Sequence, residues 1–283
     1  MLGAKTKTSL RLRVAAALAL AVALPLSVTA CGGGDKGNSA ASGKKDKIVI
    51  GTKFDQPGLG LKAQDGKMSG FDVDVATYVA QQLGYGPDKI EWKESVSGQR
   101  ENLIDNNQVD YIVATYSIND ERKKRVDFAG PYLITGQSLL VRADNTDITG
   151  KESLANNKKL CSAKGSTPAQ NIKKEYPGVQ LQEYPNYAAC VEALKSGAVD
   201  AVTTDEVILA GFAAQSPGTF KVVGDTFSTE KYGIGLKKGD TELRNKINDA
   251  ITKMETDGAW AAAFEKNLGP AGIKTPTPPA VEK

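Results

Sequence analysis

Arg122 stands where a helix would not choose a cation. Asn119 is a residue type suited to a helix N-cap, so Arg122 falls in the first turn, against the macrodipole. A planar guanidinium held there suits two-point binding of a carboxylate. A solvated surface arginine beside Glu121 and Lys123 is the plainer alternative. The run Gly165-Ser166-Thr167-Pro168 predicts a second anion site. With Thr167 as N-cap and Pro168 at the first helical position, free backbone amides point outward from the helix start. Asp205, within Thr204-Asp205-Glu206, opens another predicted helix, either as a simple capping acid or as a partner for a cation. The chain has no histidine. That removes Ser-His-Asp and Cys-His catalysis, histidine general bases and histidine-based zinc sites. Cys161 and Cys190 are either a disulfide, as an oxidising compartment favours, or two buried thiols, and alone they make no metal site.

The ends of the chain say where these groups would work. Lys5, Lys7, Arg11 and Arg13 precede an apolar stretch over residues 14–26, and Ser27-Val28-Thr29-Ala30 leads to Cys31. Residues 1–30 thus read as a secretory signal, too short and wrongly flanked for a membrane span. Val28-Thr29-Ala30-Cys31 resembles the bacterial lipobox, which implies cleavage before Cys31 and lipidation of its thiol. Residues 31–46 follow as a flexible, polar tether. The signal holds four of the 36 basic residues and no acidic one, leaving 32 basic against 33 acidic residues and a net charge of −1. No basic face remains for a nucleic acid.

The elements that must position the candidate groups alternate between strand and helix, as an α/β protein with mainly parallel sheets requires. Strands are expected over residues 47–51, 90–94 and 111–115. Helices are expected over 72–83, where Val75, Val79 and Leu83 share a face, and over 99–106. A second unit repeats the grammar, with strands at 160–163, 179–184 and 201–204 and helices at 168–176 and 187–196. Val109-Asp110-Tyr111-Ile112-Val113 matches Val199-Asp200-Ala201-Val202, which brings Thr115 and Asp205 to the carboxyl ends of equivalent strands. Ligands of open α/β sheets sit at that end. A last strand at 233–236 and a helix at 241–257 complete the order, and residues 270–283, rich in proline, are expected to be a disordered tail. Gly233-Ile234-Gly235 lacks the setting of a nucleotide loop.

Several spaced motifs now agree. Gly70-Phe71-Asp72-Val73-Asp74-Val75-Ala76, Thr115-Tyr116-Ser117-Ile118-Asn119-Asp120-Glu121-Arg122, Val126-Asp127-Phe128 and Pro131-Tyr132 resemble the signatures of the amino-acid-specific solute-binding proteins of ABC importers. Gly51-Thr52-Lys53-Phe54-Asp55-Gln56-Pro57-Gly58, the segment from Leu160 to Gln170, and Cys190-Val191-Glu192-Ala193-Leu194 are similar to the glutamate-binding lipoproteins of Gram-positive bacteria. The resemblance implies a type II periplasmic-binding-protein-like fold of two lobes. Lobe 1 would comprise residues 47–131 plus 233–269 and lobe 2 residues 137–228, joined by hinge strands near 132–136 and 228–232. It also implies a Cys161–Cys190 disulfide.

An α-amino acid needs a cation for its carboxylate and an anion for its ammonium. The resemblance gives the carboxylate to Arg122 with Ser166, Thr167 and the amides of their helix, and the ammonium to Asp205 with Thr115 and Ser117. Lys53 and Arg100 match positions that are basic in binders of acidic amino acids. Two further cations make sense only if a second anion neutralises them. Gln56 and Lys164 are further candidates. The expected protein is a lipid-anchored monomer on the outer face of the membrane. It closes on glutamate, with glutamine or aspartate as further candidate ligands, and delivers it to permease subunits without a cofactor, metal or nucleic acid. A sensory binding protein or a dehydratase-like enzyme on the same fold are the alternatives.

Overall fold

The computed structural model describes residues 45–155 and 157–282. The signal, Cys31 and most of the tether lie outside those residues. Among the described residues no helix is long and apolar enough to cross a membrane.

Among the described residues the first element is β1 (Ile48–Thr52), followed by the short strands β2 (Asp55–Gln56), β3 (Gly60–Lys62) and β4 (Met68–Ser69), which pair as a small antiparallel sheet. Helix α1 (Phe71–Gln82), β5 (Ile90–Glu94), α2 (Arg100–Asp105), β6 (Tyr111–Ile112), α3 (Asp120–Lys123) and β7 (Val126–Thr135) follow. The chain then leaves this lobe and builds β8 (Gln137–Arg142), β9 (Lys159–Ala163), α4 (Thr167–Glu175), β10 (Gln180–Tyr184), α5 (Tyr187–Lys195), β11 (Ala201–Asp205), α6 (Glu206–Gln215) and β12 (Phe220–Val223). It returns through β13 (Glu230–Lys237) to finish with α7 (Thr241–Thr256) and α8 (Ala259–Leu268).

Two five-stranded sheets result, in the orders β5-β1-β6-β13-β7 and β10-β9-β11-β8-β12. In each, three strands are parallel and the remaining two join antiparallel. The chain crosses between the sheets at Gly136 and again on entering β13, and the crossing segments pair with one another, Glu230 with Thr135 and Tyr232 with Leu133.

The Val-Asp repeat has a structural cause. Asp110 accepts from the backbone N–H of Val49, and Asp200 from that of Lys159, each at 2.8 Å. Each aspartate clips the strand that follows a helix onto its parallel neighbour. In α1, Val75 and Val79 are buried and Leu83 packs against the core, as the 3.6-residue period requires. Trp260 and Phe264 of α8 enclose Phe71, and the Trp260 indole donates to the Tyr132 carbonyl at 2.7 Å. That fixes α8 against a crossing strand.

Two expectations are corrected here. The strand expected over 111–115 stops at Ile112, and Thr115 beyond it adopts φ 45°, the left-handed region, which a continuing strand would not accommodate. Residues 270–282 form no long element, yet they are laid against the body of the protein. Ile273 and Val281 pack on the core, the Glu282 N–H donates to the Gly130 carbonyl at 2.9 Å, and the Glu282 carboxylate pairs with Lys231. Proline-rich composition argues that a segment cannot build its own core, but this one borrows a surface already present.

Candidate ligand-binding site

Each positioning element ends at the gap between the sheets. Asn119 caps α3, its Oδ1 accepting from the Arg122 N–H at 2.9 Å, so the arginine is held in the first turn as expected. Its side chain is buried. One Nη donates to the Ser117 carbonyl at 2.7 Å and to the Thr167 hydroxyl at 2.8 Å, and the other to the Gly165 carbonyl at 3.2 Å. Nε faces Glu101 at 3.3 Å. Arg122 thus joins its own lobe to the turn that opens α4 in the other.

That turn differs from expectation in one respect. Ser166, not Thr167, is the N-cap, accepting from the Ala169 N–H at 3.1 Å, with Thr167 and Pro168 as the first two helical residues. A proline fits the second position as well as the first, since neither N–H has a helical partner. The shift leaves the Thr167 hydroxyl free of capping duty and directed to Arg122.

Arg100 opens α2 and is 2% exposed. Among the described residues it donates to backbone carbonyls alone, those of Ser97, Ala114 and Thr115, and its guanidinium carbon lies 4.1 Å from the Tyr116 ring centroid. The strained Thr115 is held from both sides, its N–H donating to Asp72 at 2.8 Å and its carbonyl receiving Arg100. Left-handed backbone at a non-glycine residue persists only where surroundings impose it. Lys53, 3% exposed, donates to the Ser97 hydroxyl at 2.8 Å. Burial foremost, and then the Arg100 charge, brings its ammonium down to about 7. Among the described residues neither Lys53 nor Arg100 forms an ion pair within 4 Å.

Asp205 ends β11 at the N-cap position of α6, yet its side chain makes no capping bond. One carboxylate oxygen accepts from the Tyr232 hydroxyl of the crossing strand β13, and the other is buried without a hydrogen-bond partner among the described residues. Burial, and after it the charge of Glu230, pushes the carboxyl up to about 7. A buried acceptor left unmatched is costly unless something donates to it.

Arg100, Thr115, Ser117, Ser166, Thr167 and Asp205 line one small cavity, with Ser97, Pro168, Tyr187 and Ile208 completing its wall. The side chains nearly fill it, leaving a cavity of about 10 Å³, roughly the room of one water molecule. Arg122 and Lys53 reach it through Thr167, Ser117 and Ser97. Gln56 is fully buried beside it, its carbonyl oxygen accepting from Thr115 at 3.1 Å while its Nε2 finds no partner. Lys164 does not join the group. Its side chain is exposed, and what faces the other lobe is its carbonyl, against Gly98. Ser97, Tyr187 and Ile208 were missed. Their only signals were offsets, Ser97 and Ile208 each standing three residues from a named charge and Tyr187 directly after the α5 cap, Asn186.

Cys161 in β9 and Cys190 in α5 form a disulfide with Cα atoms 5.6 Å apart. It ties the strand that leads into the Ser166 turn to the helix that carries Tyr187. Among the described residues no group of three or more histidine, cysteine, aspartate or glutamate side chains is arranged to hold a metal ion.

Two lobes of one plan, with a small, charged and buried cavity between them, define a protein that encloses a compact polar solute. The chain belongs to the bacterial extracellular solute-binding proteins, family 3, whose pattern it matches over residues 48–270. It is 50% identical over 253 residues to the glutamate-binding protein GluB of Corynebacterium glutamicum, covering 86% of each chain. It is 39% identical over 250 residues to the ABC transporter glutamine-binding protein GlnH of Bacillus subtilis, covering 84% of this chain and 91% of the other. Among solved structures it is similar to an ancestral arginine-binding protein bound to glutamine, with a TM-score of 0.74 and 36% identity over 80% of this chain and 99% of that one. The fold is therefore type II, and the function is that of a solute-binding subunit for amino acids.

Proposed function

We propose that the protein captures glutamate outside the cytoplasm, held to the membrane through lipid on Cys31, and hands it unchanged to an ABC importer. One observation carries the choice of ligand. Among the described residues, the hydrogen-bond partners of the buried cations Lys53 and Arg100 are a hydroxyl and backbone carbonyls. Unpaired buried charge costs several kcal/mol, and a side-chain carboxylate arriving there offsets it. Arg122, with the amides of α4, takes the α-carboxylate. The unmatched oxygen of Asp205 takes the ammonium, helped by Thr115 and Ser117. The likeness to GluB supports the same reading, whereas GlnH and the glutamine-bound ancestral protein make glutamine the ligand to exclude.

Contacts divided between two lobes exist together only when the lobes are closed, so ligand shifts the population toward that form. Calorimetric titration with glutamate, glutamine, aspartate and arginine in parallel tests the proposal. Tight one-to-one glutamate binding with much weaker glutamine is expected; a preference for glutamine or arginine overturns the assignment of Lys53 and Arg100. Incorporation of labelled fatty acid that disappears in Cys31→Ala tests the anchor.

A further inference from the structure

Asp55 belongs to a motif that marks the family likeness, yet it lies outside the cavity. It sits in β2, in the first lobe, and one oxygen of its carboxylate accepts from two backbone N–H groups of the second lobe, those of Tyr187 and Ala188, each at 3.1 Å. Those residues are the first two of α5, a nine-residue helix whose own cap, Asn186, already satisfies the next N–H, that of Ala189. A carboxylate at a helix start meets both free donors and the positive end of the helix dipole. Two residues on, the Pro57 carbonyl lies against Gly211 of α6, so closely that a Cβ there would stand 2.2 Å from the oxygen. Gly98 and Gly165 touch in the same way, with a Cβ on Gly165 falling 2.5 Å from the Gly98 Cα. Besides the Arg122 contacts, the lobes therefore meet through backbone at these two places and through the Asp55 carboxylate.

We propose that Asp55 is a positioning residue, a latch in which a carboxylate of one lobe caps a helix of the other and so sets how long the closed form persists. This rests on the reading that a ligand is enclosed between the lobes. Asp55 is not among the residues that line the cavity. It slows escape without choosing between solutes, and because Tyr187 lines the cavity, it also seats that side chain against the ligand space. The contact bridges parts of the chain 132 and 133 residues apart. Donors and acceptor belong to different lobes, so it exists only while the lobes are together. Asp55 also bears electrostatically on Lys53, so a test must separate its charge from its hydrogen bonds.

Two variants of the full chain do so. Asp55→Asn keeps the shape and weakens both bonds, and Ala188→Pro deletes one donor while leaving the Asp55 charge in place, proline being tolerated in a first turn. Stopped-flow kinetics with glutamate and with glutamine should show dissociation faster by about tenfold in each variant, the scale of losing a charge-assisted hydrogen bond, with association within about twofold of the parent. Asp55→Glu should recover part of the loss. Small-angle X-ray scattering of the ligand-free protein should show a larger radius of gyration in both variants than in the parent. Unchanged dissociation and an unchanged radius in both would overturn the latch. If the parent binds neither amino acid, the ligand assignment fails, while the scattering comparison still decides the latch.

Discussion

The two lobes share one sheet plan and bring opposite chemistry to the cavity. The first supplies three cations, Lys53, Arg100 and Arg122, held by carbonyls, hydroxyls and the single carboxylate of Glu101. The second supplies Asp205, with one oxygen unmatched, and the hydroxyls and amides at the start of α4. The arrangement on the first lobe suits carboxylates and the acid on the second suits an ammonium. A solute carrying both is satisfied only between them. On the proposed reading, this division of groups between the lobes makes closure depend on the ligand.

The largest break in this comparison comes from Arg122, whose guanidinium bonds to both lobes. Arg122→Ala should weaken glutamate and glutamine alike by a hundredfold or more, since removing one partner of a buried charge contact costs roughly 2–5 kcal/mol. Calorimetry reads this directly, and undiminished affinity would remove Arg122 from the site. Asp205→Asn should follow, with an order-of-magnitude loss for every α-amino acid tested.

The pH profile sharpens the contrast. Asp205, raised to about 7, must be ionised to hold an ammonium, so below that pH binding must expel a proton and affinity falls. Lys53, lowered to about 7, must be protonated to hold a carboxylate, so above that pH binding must take up a proton and affinity falls. Each limb steepens toward about tenfold per pH unit. Glutamate should therefore show a maximum near pH 7. Glutamine should keep the acid limb, which belongs to the second lobe, and lose the alkaline one. Lys53→Met should abolish the alkaline limb and cost glutamate about tenfold while leaving glutamine within about twofold; an equal loss for both would sink the specificity argument.

The smallest effect on affinity is expected from Cys161→Ser with Cys190→Ser. The bond closes a loop of 29 residues in sequence separation, and a chain-entropy estimate for such a loop is about 3.6 kcal/mol of stability. Thermal unfolding should register the loss chiefly in the second lobe, with binding at low temperature changed by less than about threefold.

What could be read beforehand followed from local rules. The alternation of strands and helices, the Asn119 cap that places Arg122, and the position of Asp205 at the carboxyl end of its strand all follow from spacing over a few residues. The twisted backbone at Thr115 was hidden because its cause, Asp72 and Arg100, comes from two other elements. Lys164 was misjudged as a cavity residue because strand ends carry no sign of which way a side chain turns in the final lobe contact. Asp55 was legible as part of a motif but not as a contact, since its partners are defined only by how two lobes meet. Residues 270–282 failed for a similar reason, because composition describes what a segment can bury by itself and not what a neighbour offers it.

The place of β13 in its sheet has a consequence for biogenesis. It lies between β6 and β7, although the whole second lobe is synthesised before it. The second lobe is one unbroken stretch and can complete its sheet as soon as it has emerged. The first must wait with β6 and β7 exposing unpaired edges to any other nascent strand. During export the earliest-made part of the protein is thus the last to become safe from aggregation.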